Sequence, residues 1–161
     1  MKDERAVSLP IYSENQVFSK WIWLTIVGVI NLPFIIMNIN HDLPFKVIIG
    51  SLFPSLCGSA LFLLCNLKTE LDTDGFRYKY FPFHLNWHLI RKEDIAKIYI
   101  RKYAPIREFG GWGIRGVFPV KAYNTKGNMG IQFELKDGRK VLFGTQKSEE
   151  WEKIIAEYPI Y

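Results

Sequence analysis

His84 and His88, four residues apart with Trp87 between them, are the residue types that first invite chemistry. On a helix, imidazoles at that spacing share a face and can ligate one metal ion. Pro82 and the alternating Leu85, Trp87 and Leu89 predict a strand instead, which would hold the two rings about 13 Å apart at 3.3 Å per residue. No cysteine lies nearby and the third histidine, His41, belongs to a distant segment, so no metal site is expected. Gly110, Gly111 and Gly113 imitate a phosphate loop, but no Lys-Ser or Lys-Thr follows and no helix opens there. Their amides could form an anion nest beside Arg107 and Arg115; tight turns or close approach to Trp112 explain the same glycines more simply.

Arg91, Lys92, Lys97, Arg101 and Lys102 form the densest basic stretch. Beside an anionic leaflet each contributes about 1 kcal/mol, whereas on a solvated face the same run needs no ligand. With Arg107 and Arg115 they are the candidate lipid or partner contacts. No serine sits in a nucleophile elbow, neither cysteine has a polar setting, and Glu93, Asp94 and Glu108 lack an identifiable acid or base partner. No catalytic residue, no cofactor and no enzymatic activity are expected.

The elements that must position these residues begin with an apolar stretch, Trp21 to Leu67, interrupted by Asn38-Ile39-Asn40-His41-Asp42. A bilayer core of about 30 Å needs roughly 20 apolar residues in helical form, because lipid offers no partner for a bare amide. Trp21 to Met37 carries no charge, and the segment from about Phe45 to Leu67 carries only Lys46 near its end. The expectation is a two-helix transmembrane hairpin. Asn31, Pro33 and Pro54 are read as kinks. Ser51, Ser55 and Ser59 with Gly58 form a small-residue face for helix packing, on the first span or on a second copy.

Residues 1 to 67 hold four basic and four acidic residues, so the net charge of +5 belongs to the part after Leu67. Lys- and Arg-rich flanks stay on the cytoplasmic side. That predicts a multi-pass protein of the inner membrane with both termini cytoplasmic. The apolar run is too long for a cleaved signal peptide and a second one follows it. Cys57 and Cys65, about 12 Å apart along a helix, cannot bridge each other.

The expected domains are a cytoplasmic lead over 1 to 20, the hairpin over 21 to 67, and a β-rich module over 68 to 161. Thr73-Asp74-Gly75 and Asp137-Gly138 are hairpin turn signals. Phe76, Tyr78 and Tyr80 alternate with Arg77 and Lys79; Ala96, Ile98 and Ile100 alternate with Lys97, Tyr99 and Arg101; Ile131, Phe133 and Leu135 point inward. Residues 104 to 119 read as loop-rich. Ser148 as N-cap, Glu149 and Glu150 in the first turn, and Trp151, Ile154, Ile155 and Tyr158 along one stripe predict a final amphipathic helix. Six or seven antiparallel strands with that helix plugging one end suggest a small barrel or sandwich.

Ile106 to Arg115, then Ala122-Tyr123-Asn124, Gly130-Ile131-Gln132 and Gly144-Thr145-Gln146-Lys147, are similar to a recurring pattern in a branch of small bacterial membrane proteins with a pleckstrin-homology-like domain. The resemblance covers about residues 68 to 158. It implies a barrel or sandwich capped by the C-terminal helix, and it carries over no catalytic residue. Domains of this kind serve lipid binding, peptide binding and assembly. The expected function is a non-catalytic membrane protein presenting an interaction module for a protein partner or a second copy; the alternative is recognition of anionic phospholipid headgroups. The bilayer is an expected partner. Nucleic acid is not, since this mixture of basic and aromatic residues occurs on most basic barrels.

Overall fold

The computed structural model describes residues 10–41, 44, 47, 49–50, 53, 57–58 and 63–158. The chain divides into two compact units, one formed by residues up to Gln16 together with those from Asn66 onward, the other by Val17–Cys65.

The larger unit contains two sheets. The first has the order β1-β2-β3-β4, from β1 (Tyr12–Val17), β2 (Asn66–Leu71), β3 (Gly75–Phe81) and β4 (His88–Arg91). The second has the order β5-β8-β9-β7-β6, from β5 (Ile95–Lys102), β6 (Gly113–Val117), β7 (Val120–Asn124), β8 (Met129–Leu135) and β9 (Lys140–Thr145). Within the second sheet β7 runs parallel to β9, whereas β5-β8, β8-β9 and β6-β7 are antiparallel.

Alternation decides which faces meet. Phe76 of β3 packs against Phe133 of β8 and Phe143 of β9 at ring separations of 4.5 and 4.7 Å. The final helix, Ser148–Glu157, places the fully buried Trp151 at 5.9 Å from Phe76 and so closes one end of the sandwich. Lys147, not Ser148, occupies its N-cap. A second, smaller cluster of Tyr103, Ala122 and Leu142 lies under Phe109 of a short helix, Pro105–Phe109, in the stretch expected to be loop.

The β2-β3 turn follows from Asp72. Its Oδ1 accepts from the Asp74 and Gly75 amides, both at 2.9 Å, and its Oδ2 pairs with Arg77 Nε at 2.8 Å. Gly75 has φ +150°, and a Cβ there would stand 2.2 Å from the Ile90 carbonyl, so only glycine fits.

β1 forms within residues 1 to 20, the stretch expected to be a cytoplasmic lead. Two of its polar side chains, Glu14 and Gln16, point inward and are buried. The Glu14 carboxylate accepts from Thr145 Oγ1 at 2.7 Å, the Gln146 amide at 2.9 Å and Trp151 Nε1 at 2.8 Å. Gln16 donates to the Gly144 carbonyl at 2.6 Å and accepts from Gln146 Nε2 at 3.0 Å. Inward polar residues invert the usual strand pattern, which is why periodicity overlooks this strand.

In the smaller unit, α1 runs from Lys20 to His41, through Asn38 to His41 where a polar hairpin tip was expected. Nothing between Pro33 and Pro44 breaks a helix. Among the described residues no helix is long and apolar enough to cross a membrane. The expected two-helix transmembrane hairpin, and with it the multi-pass inner-membrane location with cytoplasmic termini, is therefore corrected. Counting length and charge overlooks Thr25, Asn31, Asn38, Asn40 and His41, which recur through α1. The unbroken apolar run from Ile26 to Ile30 spans only about 7.5 Å at 1.5 Å per residue. Thr25 Oγ1 and Asn31 Nδ2 donate to carbonyls one turn back, at 2.9 and 2.7 Å. The second expected span lies mostly outside the described residues, and its last two, Asn66 and Leu67, belong to β2.

Glu14→Ala would strand three donors in the interior. At about 1–3 kcal/mol for each orphaned group, with partial relaxation, the expected cost is about 3 kcal/mol. Guanidinium unfolding followed by tryptophan fluorescence measures it, and a loss below about 1 kcal/mol would show that β1 is held by something else.

Candidate functional site

The strands deliver the predicted basic residues to several places, most of them already engaged. Arg91 pairs with Glu93 at 3.1 Å, Lys92 lies over the Tyr158 ring at 5.2 Å, and Lys97 lies over Tyr99 at 5.0 Å. Arg101 reaches Gln132 Oε1 at 3.1 Å and Glu108 Oε2 at 2.9 Å. Glu108 is held below the usual carboxylate range, first by the Ala104 amide and then by Arg101 and Arg107. Lys102, the last residue of β5, is exposed and pairs in register with Met129. On the same strand, Tyr99 donates to Glu134, which also meets Lys140. This face is a self-satisfied ladder of alternating charge rather than an open basic patch.

The glycine-rich turn is likewise spent. Gly110, in the left-handed conformation at φ +71°, caps the short helix by donating to the Ile106 carbonyl, while the Gly111 amide donates to Pro105. The Gly113 amide is taken by Asn124 Oδ1 at 2.8 Å, and Arg115 Nε donates to the Trp112 carbonyl at 2.9 Å. Those three amides point at carbonyl or amide oxygens of the chain itself and are not turned toward an anion.

Of the expected helix-packing face, Ser51, Ser55 and Ser59 lie outside the described residues. Gly58 is exposed, and a Cβ added there would meet nothing described within 4 Å. Cys57 is an exposed thiol and Cys65 a buried one, whose pKa burial raises.

The arrangement that sequence reasoning missed surrounds Tyr78 and Tyr123, where the chain passes from β3 to β4. β4 has only four residues, and the chain between β3 and β4 bends at Pro82-Phe83 and Leu85-Asn86 instead of extending. The bend folds His84 back onto His88, with ring centroids 4.3 Å apart rather than the separation expected of a strand. Tyr78 stacks on His88 at 5.3 Å, and Tyr123 of β7 stands 5.6 Å from His84. Phe143 stacks on Tyr123 at 5.3 Å and anchors the group to the core.

His84 is half-buried, and its Nδ1 atom is buried with no hydrogen-bond partner among the described residues. Burial first, then the positive charges of His88 and Lys121, draw its pKa below the ordinary histidine range. Burial and the neighbouring Tyr123 hydroxyl push Tyr78 above the usual phenol range, with Arg139 opposing them. Burial also pushes Tyr103, under the short helix, up to about 12.

Outside this corner the same segment exposes apolar side chains. Phe83, Leu85, Trp87 and Leu89 are 61, 70, 42 and 45% exposed, although Leu85, Trp87 and Leu89 alternate as a buried strand face would. An open groove of about 270 Å³ near the final helix is lined by Ile11, Thr73, Lys92, Ile154, Glu157 and Tyr158. No family model and no curated protein matches the chain.

A histidine with a lowered native pKa binds fewer protons folded than unfolded. Stability therefore rises with pH across its titration and is lost as pH falls from about 6.5 toward the native value. Between about pH 7.5 and 5.5, above the range of the carboxylates, the melting temperature of the wild type should fall more than that of His84→Gln. Scanning fluorimetry across that range checks this, and parallel curves would show that His84 is not the titrating group. Arg101→Gln should cost less than about 1 kcal/mol in the same assay, because the pair is partly solvated.

Proposed function

We propose that the sheet-rich unit is a non-catalytic interaction module that takes an extended segment of a protein partner along β4. The observation that carries this is the edge itself. Among the described residues β4 pairs with β3 on one side and ends its sheet on the other; Leu89 within it and Phe83, Leu85 and Trp87 before it are exposed. Proteins usually blunt such an edge with charge, proline or a covering element. Exposed apolar side chains on a strand with one unpaired edge instead favour β-augmentation, in which backbone hydrogen bonds supply affinity and alternate side chains supply selectivity.

Charge indicates the partner's character. The +5 excess lies after Leu67, so a segment with acidic residues beside its apolar ones is favoured over a second copy bearing the same excess. The resemblance to pleckstrin-homology-like domains supports a binding role of this kind. Lipid-headgroup recognition is less favoured, because Arg91, Lys92, Lys97, Arg101 and Arg115 already have partners within the chain.

The test uses the full chain as bait beside the Trp87→Glu/Leu89→Glu double variant, followed by rebinding of the purified captured protein. The expected result is at least about tenfold weaker binding to the variant, with partner-dependent protection of β4 amides from hydrogen exchange. Equal binding to both baits would overturn the reading. So would protection confined to the basic residues, on anionic vesicles.

A further inference from the structure

The corner behind β4 has a chemistry that strand pairing does not use. Two imidazoles lie with centroids 4.3 Å apart, beside the Tyr78 and Tyr123 rings at 5.3 and 5.6 Å from one or the other. The groups whose charge reaches His84 are His88 and Lys121, both basic, and Arg139 reaches Tyr78 from the β8-β9 turn. His84 Nδ1 is buried without an acceptor among the described residues. A buried polar atom of this kind costs free energy unless something completes it.

We infer that His84, His88, Lys121 and Tyr123 form a binding site for a small oxyanion, inorganic phosphate or a phosphate monoester of similar size. An oxyanion accepts from several N–H and O–H donors at once, and charge-assisted bonds of this type are the strong ones. It would favour the protonated form of His84, which burial and the nearby His88 and Lys121 otherwise disfavour. A metal ion fits the corner less well, because the Lys121 ammonium repels it. Moreover, no group of three or more histidine, cysteine, aspartate or glutamate side chains able to hold one occurs among the described residues.

The inference does not depend on strand addition at β4. It depends on the bend that brings His84 to His88, and on β7 running beside it with Lys121 and Tyr123 at alternate positions. Lys121 pairs in register with Gly116 of the edge strand β6, which has no side chain to cover the ammonium.

The experiment follows the histidine ring resonances of the full chain by carbon-proton correlation spectra. Inorganic phosphate, glycerol phosphate and chloride are titrated at matched ionic strength, with resonances assigned through His84→Gln and His88→Gln. His41 serves as the internal control. Saturable shifts at His84 and His88 but not His41, at least about five-fold weaker in Lys121→Gln and retained in Lys121→Arg, are expected. Saturation by glycerol phosphate as well as phosphate supports a monoester ligand, and saturation by phosphate alone supports the inorganic ion. Shifts that do not saturate, that chloride reproduces, or that Lys121→Gln leaves unchanged would overturn the inference. Lys121 is exposed, so neither substitution at that position should disturb the core.

Discussion

Glu14 sets the constraint on which the larger unit depends. A carboxylate buried at 6% exposure must find donors, and it finds one on β9, one just after it and one on the final helix. That single group ties the first strand of one sheet to the last strand of the other and to Trp151. Because the attachment is polar it is directional: three donors converging on two oxygens fix the angle of β1 more narrowly than apolar contact would. Trp151 is then held over Phe76, and the chain beyond the helix returns Tyr158 to the Asp72 carbonyl at 3.0 Å. One end of the sandwich is closed by these contacts.

The corner at Tyr78 and Tyr123 is built differently. β4 begins at His88, in register with Tyr78, whereas β3 runs on to Phe81. The bend at residues 82 to 87 brings His84 back to His88, the first residue of β4. On the outer face of β5 and β8, by contrast, Glu134 and Glu108 meet Lys140, Tyr99 and Arg101. Acids neutralise bases on that face, while bases gather in the corner, so the same sign of net charge has different meaning in the two places.

Where the structure follows local reading, local chemistry is the cause. Asp72 to Gly75 forms a turn because an aspartate can accept from the next amides and a glycine can approach the Ile90 carbonyl. Ile131, Phe133 and Leu135 are buried because alternation places them on one face. The glycines at 110 and 111 cap a short helix, where the sequence suggested tight turns, close approach to Trp112 or an anion nest. The apolar density of residues 21 to 67 pointed to a membrane hairpin, and the polar residues distributed through α1 count against it. Leu85, Trp87 and Leu89 show the limit of periodicity, since their pattern suits a buried face and their place beside an edge strand leaves them exposed.

By itself the sequence determined the turns at Asp74-Gly75 and Asp137-Gly138, the amphipathic stripe around Trp151 and the alternation of β3, β5 and β8, since each depends on residues a few positions apart. Tertiary structure decided which distant groups meet: Glu14 with Trp151, β7 parallel to β9, and His84 beside His88 and Tyr123. These meetings depend on how two sheets stack and where a short strand stops. Neither is written in the local period of side chains, because both follow from packing among residues up to 138 positions apart.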